Sequence, residues 1–346
     1  MARVLVVAPN WIGDALMAQP LLARLREKNP ALGVDVLAPA WVAPVLRRMP
    51  EIDTVIDGPS RHGALELRAR WRLGRSLRQR GYSHSIVLPN SWKSALVPYF
   101  ADIPLRSGYV GESRYGLLNL LHRARNGAKA RMALHYARLS ETPGRDPPEP
   151  LPEPRLAVEA RAALATAARF GIEGRYAVFC PGAEYGPAKR WPHFPELAGR
   201  IGMPVVLLGT AADRALCART PGRNLAGDTT LDEAIELIAA AALVVTNDSG
   251  LMHVAAALDI PQVALFGSSS PAHTPPRSAR ARVARIEIAC SPCYARVCPL
   301  GHFRCMNELG ATQVLAEIGQ LAVLPSAAPH ETTARVEQDL PDPPGC

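Results

Sequence analysis

The chain has 346 residues, too many for one comfortable core and about right for two domains of roughly 150 residues each. Its 48% hydrophobic and 20% charged residues are those of an ordinary globular protein, and no apolar run approaches the ~18 residues of a membrane span. A net charge of +8 favours acidic partners such as a phosphorylated glycolipid or an anionic membrane surface, whereas aromatics at 5% and scattered arginines do not fit a nucleic-acid-binding module.

The N-terminus enters an apolar strand, Arg3 to Ala8, without the charged-then-apolar pattern of a secretory signal, so the expectation is a cytoplasmic protein. Helical spacing follows in Ala15, Leu16, Leu21, Leu22 and Leu25, with Pro20 expected to kink that helix or to mark a late start. Further strands are expected at Val34 to Leu37, Thr54 to Ile56, Ser85 to Leu88 and Ser107 to Val110, separated by helical patterns. Six prolines in the thirteen residues from Thr142 to Pro154 read as an extended linker. The alternation then restarts, with strands at Tyr176 to Cys180, Pro204 to Leu208, Leu243 to Thr246 and Gln262 to Phe266. Helices are expected around Phe194 to Ile201, Ala211 to Thr220, Leu231 to Ala242 and Leu251 to Leu258. This pattern predicts an α/β protein with two Rossmann-like, doubly wound domains, residues 1–154 and 155–325, and a disordered tail over 326–346.

Two strand-to-helix turns carry the chemistry. Trp11-Ile12-Gly13-Asp14 aims a carboxylate out of the carboxyl end of the first strand, where ligands of open α/β sheets sit. Asp14 there either stabilises the helix start or acts as a general base, with Gly13 keeping the approach open for a substrate. The run Thr246-Asn247-Asp248-Ser249-Gly250-Leu251-Met252-His253 repeats the arrangement. In it Asp248 or Ser249 is expected to cap a helix, Gly250 to let a phosphate approach, and His253 to lie one turn along. The loop from Cys180 to Pro192, with Gly182 near its start and Lys189-Arg190 near its end, suits a diphosphate. Asp213, after another strand, is suited to ribose hydroxyls. Cys290, Cys293, Cys298 and Cys305, with His302 among them, form a compact cluster readable as a structural metal site or as free thiols. Dinucleotide and P-loop glycine fingerprints are both missing from the chain, as is an Asp-x-Asp triplet.

These residues, together with Leu88 to Ala95, Arg114 to Asn119 and Asn247 to Leu258 followed by Pro261, resemble glycosyltransferase family 9, the bacterial ADP-heptose:lipopolysaccharide heptosyltransferases, over nearly the whole chain. The resemblance implies the GT-B architecture, two Rossmann-like domains facing a central cleft. It is strongest to members whose acceptor is phosphorylated Kdo-lipid A already carrying one heptose. It implies that Asp14 deprotonates a hydroxyl of that heptose, which attacks ADP-L-glycero-D-manno-heptose with inversion. Lys189 would act in catalysis, and Gly182, Lys189, Asp213, Thr229, Leu231, Asp248, Ser249, Gly250 and His253 would hold the donor. Gly13, Asn90, Ser91, Lys93, Arg106 and Arg114 would face the acceptor, and the arginine-rich stretch Arg61 to Arg80 would attract lipid phosphates at the cytoplasmic face of the inner membrane. A helix N-terminus and a lysine can meet the charge growing on ADP, so no cofactor or catalytic metal is expected. The alternatives are a family member with another acceptor, such as Kdo, and a GT-B nucleotide-sugar epimerase.

Overall fold

A computed structural model describes residues 2–59, 64–124 and 131–321; the tail expected over 326–346 lies outside them. Two six-stranded sheets, parallel throughout, form the framework. The first contains β1 (Arg3–Val7), β2 (Gly33–Ala38), β3 (Thr54–Asp57), β4 (His84–Val87), β5 (Leu105–Tyr109) and β6 (Leu120–His122), in the order β3-β2-β1-β4-β5-β6. The second contains β7 (Ala177–Cys180), β8 (Val205–Leu207), β9 (Arg223–Asn224), β10 (Leu243–Asn247), β11 (Gln262–Leu265) and β12 (Ala281–Ala284), in the order β12-β11-β10-β7-β8-β9.

The helices of the first half are α1 (Ile12–Lys28), α2 (Ala43–Leu46), α3 (Leu67–Leu77), α4 (Leu96–Phe100) and α5 (Met132–Ala137). Those of the second are α6 (Ala160–Arg169), α7 (Phe194–Arg200), α8 (Arg214–Cys217), α9 (Leu231–Ala239), α10 (Gly250–Ala257), α11 (Arg304–Asn307) and α12 (Ala311–Leu321). Residues 141–159, which include the proline-rich stretch, carry no helix or strand.

The strand sequences are apolar on both faces because helices cover both. In β1, Val4 and Val6 pack with α1 while Leu5 and Val7 point into a separate core with Leu77, Val87 and Val97. In the second sheet Val178 and Val244 share the core of Val4 and Val6, whereas Phe179 and Val245 pack on Phe194 and Val314. One continuous apolar core therefore runs between the inner faces of the two halves, through α1, α2, α9 and α10. Its edge is stitched by Arg48, which reaches Asp232 and Glu236 of α9, and by Leu156, whose N–H donates to the Ala257 carbonyl at 2.9 Å.

Two expectations are corrected, and three strands are added. α1 starts at Ile12 and continues through a buried Pro20, so the proline does not mark a late start. The helix expected over Ala211 to Thr220 is a 3-10 turn, Ala211–Asp213, followed by the short α8, because Asp213 folds back to cap Thr210. The edge strands β6, β9 and β12 escape the hydrophobic pattern because they are two to four residues long and carry polar groups such as His122, Arg223 and Arg282.

The halves meet where α1 and α10 begin. A Cβ added at Gly13 would stand 2.8 Å from Cδ2 of His253, and one added at Gly250 would stand 3.2 Å from Cβ of Ile12. Gly13 is thus filled by the other half rather than left open to a substrate, contrary to expectation. Gly13→Ala should cost about 1–3 kcal/mol by overpacking, read by denaturant unfolding. Gly199→Ala, whose Cβ meets nothing within 4 Å, should be neutral or stabilising in the same measurement.

Candidate active site

In a doubly wound sheet the crevice lies where the strand order reverses. In the first half that point lies between β1 and β4, and in the second between β7 and β10. Asp14 is the third residue of α1, directly above the first of these points. Burial raises its carboxyl above the usual carboxylate range, while a hydrogen bond donated by the Tyr136 hydroxyl to Oδ1, at 3.1 Å, opposes that shift. The charge of His273, from the loop after β11, also favours the ionised form. The same loop is tied to α5, since the Met132 N–H donates to the His273 carbonyl at 3.1 Å. Asp14 is therefore bounded by both halves.

At the second reversal Lys189 and Asp248 meet, with Nζ 2.5 Å from Oδ2; the Ser269 hydroxyl donates to the same oxygen at 2.5 Å. The Tyr185 ring lies under Lys189, 4.8 Å from its ammonium. Asn247 holds this loop at both ends. Its amide donates to the Pro181 carbonyl at 2.7 Å, and its oxygen accepts from the Trp191 N–H at 3.2 Å. Ser249 occupies the N-cap of α10 but makes no capping bond, and Asp248 is engaged by Lys189, so neither caps as expected. The first N–H groups of α10 therefore receive no capping bond from Ser249 or Asp248. His253 is fully buried, which pushes its imidazole down to about 4 and keeps it neutral at physiological pH.

Asp213 accepts from the Thr210 N–H and hydroxyl at 3.0 and 2.7 Å, and Gly182 makes room for it: a Cβ there would stand 2.6 Å from the carboxyl carbon. The structure brings Gly182, Asp213 and Arg190 together, the last 3.9 Å from Oδ1. Thr229 and Leu231 flank Thr230, which caps α9 with Glu233, and Leu231 packs partly on the shared core.

The acceptor residues divide. Ser91 and Lys93 line a cavity beside Asn10, and Asn90 is exposed at the adjoining loop. Arg114, in contrast, is buried, and its guanidinium is taken by the Pro89 and Tyr109 carbonyls and the Asn90 side chain. Arg106 likewise binds the carbonyls of Ile103, Gly116 and Leu117. Both arginines, expected to reach the acceptor, are instead spent on holding the loops of residues 89–90, 103–109 and 116–117.

A family model for glycosyltransferase family 9 (heptosyltransferase) matches residues 70–304. The chain belongs to this family. It is 44% identical to lipopolysaccharide heptosyltransferase 2 of Escherichia coli strain K12 over 341 residues, covering 92% of this chain and 98% of that protein. It is 42% identical to lipooligosaccharide heptosyltransferase 2 of Haemophilus influenzae over 313 residues, covering 82% and 88%. The solved structure of the E. coli ADP-heptose lipopolysaccharide heptosyltransferase II superposes with a TM-score of 0.82 at 43% identity, over 92% of this chain and 98% of that one. The two halves accordingly form the GT-B architecture of this family, and the chain is a glycosyltransferase.

In this family 9 enzyme the cysteine cluster borders the Lys189–Asp248 pair, since the cavity it lines also takes in Ala188 and Ser268. Cys290, Cys293, Cys298 and Cys305 are all free and line one small cavity with His302. Among the described residues no group of three or more His, Cys, Asp or Glu side chains is placed to hold a metal. Cys293 is exposed, Cys305 is buried, and backbone N–H groups of residues 300–303 engage the Cys298 sulfur, so the four differ in exposure and bonding while sharing one cavity. The residue that sequence reasoning missed is Tyr136, on a six-residue helix with no motif to mark it. Tyr136→Phe removes the bond that favours ionised Asp14. The acidic limb of kcat/KM should move to higher pH, with a loss on the order of tenfold at neutral pH that recovers as pH rises. A loss uniform across the pH profile would contradict that role.

Proposed function

We propose that the enzyme transfers L-glycero-D-manno-heptose from ADP-heptose to a hydroxyl on the first heptose of the lipopolysaccharide inner core, with inversion. The observation that carries this reading is the meeting of two strand-end sites at one contact: Asp14 at the start of α1, and Lys189 with the uncapped start of α10 across from it. Asp14 takes the proton of the acceptor hydroxyl as its oxygen forms the bond to the anomeric carbon. The bond from that carbon to the diphosphate breaks, and ADP leaves with the electron pair. Lys189 and the α10 N–H groups neutralise the charge that develops on the leaving oxygen, the kind of preorganised stabilisation that costs no reorganisation during reaction. Asp213 and the adjoining Gly182 turn suit the ribose, and Thr229 and Leu231 the adenine.

These groups supply the base and the leaving-group electrostatics, so the reading includes no catalytic metal, and activity should persist in excess EDTA. The acceptor is a lipid, and the reading places the enzyme at the cytoplasmic face of the inner membrane. Arg68, Arg72 and Arg75 of α3 are exposed beside Trp71, a composition suited to anionic headgroups. No helix among the described residues is long and apolar enough to cross a membrane.

The decisive experiment incubates the enzyme with ADP-heptose and inner-core acceptors carrying zero, one or two heptoses, and weighs the products. A single heptose added only to the one-heptose acceptor is expected; addition to the bare Kdo acceptor would reassign the step. Asp14→Asn should lose about 10²-fold or more in kcat while retaining ADP binding by calorimetry. Lys189→Met should weaken ADP affinity or lower kcat by about tenfold or more. Unchanged kinetics would show that another cation carries the diphosphate.

A further inference from the structure

The segment between β12 and α11, which carries the cysteines, contains a backbone outlier. Tyr294 stands in the left-handed region, with φ of 56°, a conformation that is strained for a bulky residue and persists only where its surroundings impose it. Both of its main-chain groups are engaged. Its N–H donates to the Ser268 carbonyl, in the loop after β11, at 2.6 Å, and its own carbonyl accepts from the Tyr185 hydroxyl at 2.6 Å. Two residues on, the Arg296 carbonyl accepts from the Ala188 N–H at 3.0 Å, and a Cβ added at Gly186 would collide with that same carbonyl. The loop that carries Lys189 is thus pressed onto this segment.

Both main-chain contacts lead to Lys189. The Tyr185 ring lies 4.8 Å from its ammonium, and Ser269, next to Ser268, donates to Asp248 Oδ2, the oxygen that Lys189 also reaches. The Tyr294 ring leads elsewhere. It stands edge-on to the His273 imidazole, with centroids 6.5 Å apart, and His273 favours the ionised form of Asp14. Tyr136 faces that carboxylate from α5 and His253 lies against the adjoining Gly13 from α10, while Arg138, in the turn after α5, is paired with Asp146 at 2.6 Å. Burial keeps His253 neutral, and likewise His135 of α5, which stacks on Tyr109. His273 therefore brings positive charge to Asp14 from the second half.

We propose that Tyr294 is a positioning residue for the transfer, its main chain setting Lys189 through Tyr185 and Ser268–Ser269, and its ring setting His273 beside Asp14. One residue of the cysteine segment thereby holds the leaving-group cation and the base in register across the two halves. This role rests on the proposed transfer reaction and adds to it a residue that acts through others. It also gives a reason for the strain, because a glycine would relax the backbone and keep both hydrogen bonds, yet would leave the His273 ring unsupported.

The test uses the full chain, ADP-heptose and the one-heptose acceptor. Tyr185→Phe keeps the ring under Lys189 and removes only the bond to Tyr294, so ADP affinity by calorimetry should fall by about two- to tenfold. Tyr294→Gly keeps the main-chain bonds and deletes the ring; the acidic limb of kcat/KM should move to higher pH, because less positive charge beside Asp14 raises its carboxyl further. His273→Gln should move the limb the same way, and the double variant no further than His273→Gln alone. Tyr294→Phe, which keeps the ring, should hold the limb in place. A side chain that only fills space would lower the melting temperature and leave the limb unmoved; that result, additive shifts in the double variant, or unchanged ADP affinity in Tyr185→Phe overturns the inference. Should Tyr294→Gly not fold, as judged by thermal melting, Tyr294→Asn carries the same comparison, since asparagine tolerates the left-handed region. An unmodified enzyme that transfers nothing to the acceptor would instead sink the transfer reaction, while the calorimetric arm would still decide the contact with Lys189.

Discussion

The contact between the starts of α1 and α10 is the constraint on which the rest of the molecule depends. The first turns of the two helices approach closely because Gly13 leaves room for the His253 ring and Gly250 leaves room for Ile12. The approach places the acid of one half beside the polarised helix end of the other. It also seals a continuous apolar core behind the cleft, so that catalytic geometry and adhesion of the halves arise from the same packing.

Around this contact the ionisable groups are set in opposed environments. Asp14 is pushed by burial toward its neutral form and pulled back by Tyr136 and His273. As the base proposed above, a carboxylate held in that balance is more basic than a solvated one. His253, buried in the first turn of α10, is neutral and adds no charge there. Lys189 stays fixed through Asp248, Ser269 and the Tyr185 ring.

The buried strands and the residues at their ends were legible in the sequence because strand runs here are continuously apolar and the functional turns interrupt them sharply. The placement of Asp14, Lys189, Asp248 and His253 in those turns follows from that logic; their roles are those proposed above. Tyr136 does not, since it reaches Asp14 from a short helix more than a hundred residues away, and nothing local marks it. Arg106 and Arg114 were misread for a physical reason: a guanidinium within a polar motif looks the same whether it awaits an anion or strings together main-chain carbonyls. Only burial separates these cases.

The Lys189–Asp248 pair has a consequence for selectivity. A cation already neutralised by a carboxylate has weak pull on stray monovalent anions, because any newcomer must first compete with a tethered neighbour at very high local concentration. A doubly charged bridge between two phosphates can win that contest where chloride or acetate cannot. In the reaction proposed above, the resting enzyme thereby keeps the site of the diphosphate screened against the small anions of its surroundings.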